Sequence, residues 1–154
     1  MKGIDEVIGE HPFFATLPPE HRAVVAGCAR LSAFKAGSYL CRAGAEADSF
    51  FLVRRGAVAL ELKPPGGAPF LFQTLGPGEI LGWSWLFAPY TWQFDARAVD
   101  DTSVVQFDGR CLRGKCDADT RLGYDLMKRF AQMIIQRFVD TRLQLIDVYA
   151  NRGA

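Results

Sequence analysis

No stretch of this 154-residue chain approaches the roughly 20 consecutive apolar residues that a membrane-spanning helix needs. Its first residues, 1–14, mix charges with His11 and Pro12 and hold no apolar run ending in a small-residue cleavage site. Both absences point to a cytoplasmic chain that makes no membrane contact. Charge of one sign is also missing. With 18 Lys and Arg against 17 Asp and Glu, the net charge of +1 leaves no broad basic field to hold nucleic acid, and no local patch stands out in its place. No DNA binding by this chain itself is therefore expected.

Histidine is scarce: His11 and His21 are the two in the chain, and neither completes a Ser/His/Asp or metal-ligand spacing. A metal-dependent enzyme built on a β-roll would need two or three histidines and a carboxylate around one ion, so that class is excluded and no metal is expected. Gly76-Pro77-Gly78 lacks the lysine and helix start of a phosphate-binding loop and reads as a turn. The chain is not read as an enzyme. Its cysteines, Cys28, Cys41, Cys111 and Cys116, need no disulfide framework in a cytoplasmic protein and read as ordinary free thiols. Cys111 and Cys116 form the only close pair. Arg113 and Lys115 beside them would lower a thiol pKa, which keeps a redox or metal-binding role as a minor option.

What is present is one domain's worth of apolar sequence, 49% of the residues. The expected single domain, 1–154, divides into a helical lead-in (1–31), a β-roll (32–110) and C-terminal helices (111–150). In the lead-in, residues 4–8 form a short helix. Pro18-Pro19-Glu20 then opens an amphipathic helix carrying Ala23, Val24, Val25 and 29–31, with Leu17 as a hydrophobic anchor before it. From Ser32 onward, short apolar or alternating runs at 38–42, 49–54, 57–62, 70–75, 80–82, 94–98 and 103–107 are separated by Gly, Pro and Asp. So many short strands imply a closed roll or jelly roll, which removes exposed edges. Asp95 and Arg97, two apart on one strand, share a face and can form an ion pair. Residues 117–149 contain no Pro and only Gly123, and their apolar steps of three and four predict one long helix, bent near Gly123. Its apolar arc is wider than one barrel can cover, so a partner helix, most simply its own copy in a homodimer, is expected.

The run Gly78-Glu79-Ile80-Leu81-Gly82-Trp83-Ser84-Trp85-Leu86-Phe87 has the glycine spacing of a small-molecule cradle, with tryptophan where a phosphate would want a charge. Upstream, Gly37, Gly44, Asp48, Phe50, Phe51 and Gly56 are spaced in a way that resembles the first signature of cyclic-nucleotide-binding domains. The resemblance extends over most of the chain and is to the sensor domain of Crp/Fnr regulators. It implies a mainly β fold with flanking α, an eight-stranded double-stranded β-helix (jelly roll) with N-terminal helices, and a long C-terminal helix of the dimerisation type.

In that family the cradle is a phosphate-binding cassette, with a glycine and a glutamate after a strand and an arginine nine or ten residues beyond. Laid on this sequence, Gly82 takes the glycine place, Trp83 the glutamate place, and Trp92 or Gln93 the arginine place. Ser84 follows within the cradle, and the resemblance places Thr141 and Arg142 where helix residues reach a purine. Taking Gly78-Glu79 instead leaves Arg97 as the next arginine, too far along. A neutral indole cannot replace a bidentate arginine on a phosphate, so cyclic AMP and cyclic GMP are not expected to bind in the usual mode. The candidate pocket is thus Gly82, Trp83, Ser84, Trp92, Gln93, Thr141 and Arg142, with a cyclic nucleotide or another small ligand of unknown identity as its occupant.

Three uses remain open for the aromatic segment Trp83, Trp85, Tyr90, Trp92 and Phe94: filling the cavity, stacking a flat ligand, or docking a protein partner. The functional expectation is a regulatory or ligand-sensing protein without its own DNA-binding domain. Its alternatives are an interaction or scaffold dimer with a tryptophan-plugged pocket, and the sensor half of a truncated Crp/Fnr-type transcription factor.

Overall fold

Two four-stranded antiparallel sheets face one another in the computed structural model, which describes residues 3–152. The ends of the expected domain, 1–2 and 153–154, lie outside the described residues. Three helices lead in: α1 (Ile4–Gly9), α2 (Pro12–Ala15) and α3 (Pro19–Gly27). Eight strands follow: β1 (Ala29–Phe34), β2 (Tyr39–Cys41), β3 (Ser49–Arg55), β4 (Val58–Leu62), β5 (Phe70–Leu75), β6 (Ile80–Leu81), β7 (Asp95–Ala98) and β8 (Thr102–Asp108). Helices α4 (Gly109–Ala118) and α5 (Thr120–Arg152) close the chain. One sheet runs β1-β8-β3-β6 and the other β2-β7-β4-β5. The jelly roll with flanking helices is as the sequence predicts.

Alternation along β3 and β8 decides where the core sits. Phe50 pairs with Phe107 and Leu52 with Val105, and these four side chains leave the roll to meet the helices. Phe51, Val53 and Val104, one residue out of phase, point inward to Val58, Leu60 and Leu75 of the opposite sheet. The aromatic pair Phe50-Phe51 therefore serves two cores at once.

Three expectations are corrected. The helix read as running through 29–31 ends earlier: Cys28 caps α3, its N–H bonding the Val25 carbonyl at 3.1 Å, and Ala29–Phe34 becomes an edge strand in register with β8. The Ala and Leu of that stretch imitate a helical stripe, yet Leu31 is 53% exposed. The C-terminal bend lies at Asp119 and not at Gly123. Asp119 is extended (φ −124°, ψ 98°), and its carboxylate accepts from the N–H groups of Arg121 and Leu122, so it ends α4 and caps α5 together. The Leu122 N–H, then those of Arg121 and the nearby His21, hold that carboxyl below its usual range. Asp95 and Arg97 pair with other elements and not with each other: Arg97 Nε donates to Glu61 of β4 at 2.8 Å, while Asp95 accepts from the Ala43 N–H in the turn after β2 and faces Arg42 at 3.4 Å.

The cysteines also differ from expectation. Cys28 and Cys111, 83 residues apart in sequence, form a disulfide with a Cα–Cα distance of 5.9 Å. Cys111 is thus bonded to a residue far away in the chain, and the close Cys111/Cys116 spacing carries no bond. Cys41 and Cys116 are free. Burial, with Asp117 and Asp119 adding to it, pushes the Cys116 thiol up to about 11, opposite to the lowering anticipated from its basic neighbours.

Helix α5 has 33 residues and is roughly 50 Å long. Leu122, Leu126 and Phe130 on its first half are fully buried in the core, with Phe130 edge-on to Phe13, Phe50 and Trp85. Beyond Arg137 the helix carries Phe138, Leu145, Val148 and Tyr149, all exposed, and no described element covers them. No helix among the described residues is long and apolar enough to cross a membrane.

Candidate functional site

Residues 82–94 connect β6 to β7 without regular secondary structure and form the cradle at one end of the roll. Gly82 has φ +106°, a conformation that glycine adopts without strain. A Cβ there would stand 2.7 Å from Cη2 and 3.0 Å from Cζ3 of Trp92, so the indole lies directly on the glycine. The backbone fixes that placement. Trp92 donates to the Ala45 carbonyl at 3.0 Å and accepts from the Gly44 N–H at 2.8 Å, while Ala47 donates to the Tyr90 carbonyl at 2.7 Å. The turn between β2 and β3 thus grips the cradle's far end and turns Trp92 inward.

Inside the roll Trp92 is 5% exposed. It stacks near Phe51 (6.5 Å between ring centroids) and meets Phe94 edge-on at 6.0 Å. Phe94 in turn contacts Phe72 at 5.7 Å and Trp83 at 6.1 Å. Rings therefore fill the space between the sheets at the cradle end. A phosphate placed among these rings would exchange its hydration for apolar contacts, a desolvation cost that the rings themselves do not offset.

Of the residues expected to form the pocket, Gly82 and Trp92 touch, and Trp83 joins them through Phe94. Ser84 is buried in the same segment. Gln93 is exposed and donates its side-chain amide to the Thr91 carbonyl at 3.0 Å. Thr141 and Arg142 are exposed on the outer half of α5, away from this group. Among the described residues no cluster of His, Cys, Asp or Glu is suited to a metal ion.

Arg137 is the residue that sequence reasoning missed. Its guanidinium lies 5.5 Å from the Trp83 ring, and its Nη2 donates to the Ile80 carbonyl at the cradle's entrance. Nη1 is buried without a hydrogen-bond partner among the described residues. Burial pushes Arg137 down to about 10, against the nearby Glu79 and Asp140 carboxylates, so it remains a cation at neutral pH. Beside it a cleft of about 250 Å³ is lined by His11, Gln73, Glu79, Met133, Gln136 and Arg137, and the His11 ring hydrogen-bonds the Gly78 carbonyl. A signal was available in the sequence. Arg137 continues the inward stripe of α5 formed by the buried 122, 126 and 130 and the half-buried 133, where a charge is out of place.

Trp85 belongs to a different layer from the rest of the cradle. It is fully buried on the outer side of the sheet, stacked on Phe50 at 4.9 Å and edge-on to Phe130 at 5.3 Å. Arg113 of α4 donates to its carbonyl at 2.5 Å and lies 4.2 Å from the Tyr90 ring. Gly109, the first residue of α4, passes so close that a Cβ would come within 2.8 Å of the Trp85 Cβ. The cradle is therefore coupled on one side to the roll interior and on the other to α4 and α5.

A family model described as the cyclic nucleotide-binding domain matches residues 31–119 of this chain. Among solved structures, a candidate cyclic nucleotide-binding protein from Geobacter metallireducens is similar at 28% identity and a TM-score of 0.79, over 90% of this chain and 99% of that one. The N-terminal domain of a transcriptional regulator from Streptomyces coelicolor shares the fold at 21% identity and a TM-score of 0.68, over 87% of this chain and 94% of that one. The regulatory domain of the Toxoplasma gondii protein kinase A, solved with cyclic AMP, shares it at 18% identity and a TM-score of 0.71, over 86% of this chain and 49% of that one.

Proposed function

The chain belongs to the cyclic nucleotide-binding domain family, and from that premise we propose that it is a non-enzymatic regulatory module whose roll is filled by its own Trp92. It does not take cyclic AMP or cyclic GMP in the usual mode, and it acts through a partner chain and not on DNA itself. The observation that carries this reading is the contact between Trp92 and Gly82, with the indole 5% exposed where the cradle meets the roll. Support also comes from Gln93, whose amide is turned back on its own loop, and from the apolar side chains that pack around Trp92 between the sheets.

The partner that fits best is a second copy of the chain. Tyr124, Met127, Ala131, Ile134, Phe138, Thr141, Leu145 and Val148 recur at alternating steps of three and four along α5, the spacing of a coiled-coil seam. Tyr124, Phe138, Leu145 and Val148 are at least half exposed in the single chain. In such a dimer Thr141 lies in the seam, and neighbouring Arg142 lies beside it. Calorimetric titration of the protein with cyclic AMP and cyclic GMP tests the closed roll. No heat of binding at millimolar nucleotide is expected, and saturable binding of either one overturns the reading.

A second reading, a site for a small anion at the mouth of the roll, is favoured by one observation: the partnerless, buried Nη1 of Arg137 beside Trp83. Its ligand would meet the cleft that His11, Gln73 and Gln136 share with Arg137. Stabilisation by a small carboxylate or phosphate that is lost in Arg137→Met, while cyclic nucleotides remain without effect, would favour it.

A further inference from the structure

The Cys28–Cys111 bond lines a groove of about 470 Å³ that also includes Ala29, Arg30, Ser49 and Asp108. The two sulfurs are not equally placed in it: Cys28 is 7% exposed, while Cys111, at the start of α4, is only half-buried. Arg30 stands exposed at the groove with no ion-pair partner among the described residues, whereas Arg110 is taken by Glu46 and Asp48. An incoming thiolate therefore finds an open groove in which Arg30 is an unpaired cation beside the carboxylates of Asp48 and Asp108, and one more accessible sulfur at its end.

The bond's position gives it leverage. It ties the end of α3 to the first turn of α4, and α4 passes through Asp119 directly into α5. With the bond open, the same junction keeps the Asp108 N–H donated to the Cys28 carbonyl at 2.8 Å and the His21–Asp119 contact at 3.3 Å. It also keeps the packing of Leu112 and Leu122, so the fold persists but the lead-in helices hold the root of α5 less firmly. Neither remaining thiol can open the bond from within. Cys41 and Cys116 are buried, and burial raises them to about 12 and about 11, leaving both protonated at neutral pH.

We propose that Cys28–Cys111 is an exchangeable modification site, opened by a small dithiol that enters this groove, and that its state sets how firmly the lead-in helices grip α4 and the start of α5. One thiolate of the dithiol bonds to the Cys111 sulfur. The S–S bond breaks, and Cys28 leaves as a thiolate that takes up a proton. The dithiol's second thiolate then attacks its own sulfur in the mixed disulfide and releases Cys111 as a thiol. The protein bond has gained two electrons and two protons, and the dithiol has become a cyclic disulfide.

The test treats the native protein with dithiothreitol in the absence of denaturant, quenches with acid, then alkylates under denaturing conditions and counts labels by mass. Two labelled cysteines, Cys41 and Cys116, are expected before treatment and four after it. The reduced protein should melt lower by on the order of 10 °C, because an 83-residue link has been opened. Amide exchange in α4 should quicken, and a small disulfide oxidant should restore the original melting curve. Cys111→Ser should match the reduced protein and ignore dithiothreitol. Four labels before any reductant, or reduction that occurs only in denaturant, overturns the proposal, and so does an unchanged melting curve after complete reduction.

Discussion

Trp85 and Trp92 belong to one connecting segment, both are almost wholly buried, and they lie on opposite sides of the same sheet. Trp85 stacks on Phe50 and faces the helices, while Trp92 stacks on Phe51 and faces the interior of the roll. Neighbouring residues of β3 thus receive one indole each. The contrast teaches that an aromatic-rich cradle need not be a ligand platform. One ring fastens the cradle to α5, and the other packs between the sheets beside Gly82 and Phe51.

The strongest way to break the comparison is to remove each ring in turn. Trp85→Ala should cost about 3–5 kcal/mol in urea unfolding, the upper part of the large-to-small range, and should also speed amide exchange in α5 through the lost contact with Phe130. Trp92→Ala should cost about 3 kcal/mol and leave α5 exchange unchanged, since its neighbours are strands. Equal effects of both variants on α5 would erase the distinction between the two sides. A loss below about 1 kcal/mol for Trp92→Ala would mean that the ring does not fill the roll.

Gly82→Ala should act more weakly, at about 1–3 kcal/mol, through a left-handed backbone and a Cβ set against the Trp92 ring. The double variant Gly82→Ala/Trp92→Ala should lose less than the sum of the two, because the clash goes with the indole. Strict additivity would show that the two residues do not touch.

The roll's inner thiol acts only at alkaline pH and leaves stability at neutral pH untouched. Burial pushes Cys41 from 9.0 up to about 12, the backbone hydrogen bond from its neighbourhood opposing and Asp95 adding to the rise. A folded pKa above the unfolded one means stability that is complete below about pH 9 and falls as pH rises toward 12. The melting temperature of the native sequence should therefore drop more steeply over that window than that of Cys41→Ala. Parallel curves would place the thiol in contact with water.

Much of this architecture was legible in the sequence, for local reasons. Gly44, Phe50, Phe51 and Gly56 announce turn, strand and turn, and the strands 49–54 and 70–75 follow from short apolar runs set between turn residues. What stayed hidden depended on partners distant in the chain. β1 is a strand because β8 offers it a ladder, whereas its own Ala and Leu residues imitate a helix. The disulfide was invisible because Cys28 and Cys111 meet only after the roll has closed, and spacing favoured Cys116 as a neighbour. In the cradle, the expected lack of the two charges rests on Trp83 and on Trp92 or Gln93 standing in their places. Which of the three tryptophans enters the roll could not be read there, since that is decided by the backbone pairing of Trp92 with Gly44 and Ala45. Arg137 was readable in principle as a charge on a buried stripe, yet its meeting with Trp83 required the angle at which α5 crosses the cradle.

Chemical rescue tests the filled roll most directly. Indole added to Trp92→Ala should raise that variant's melting temperature by occupying the apolar space the side chain left, and should leave the wild-type protein unmoved because Trp92 already occupies it. An indole-induced rise in the wild type as large as that in the variant would contradict the account, since it would show that the space beside Gly82 is open while Trp92 is present.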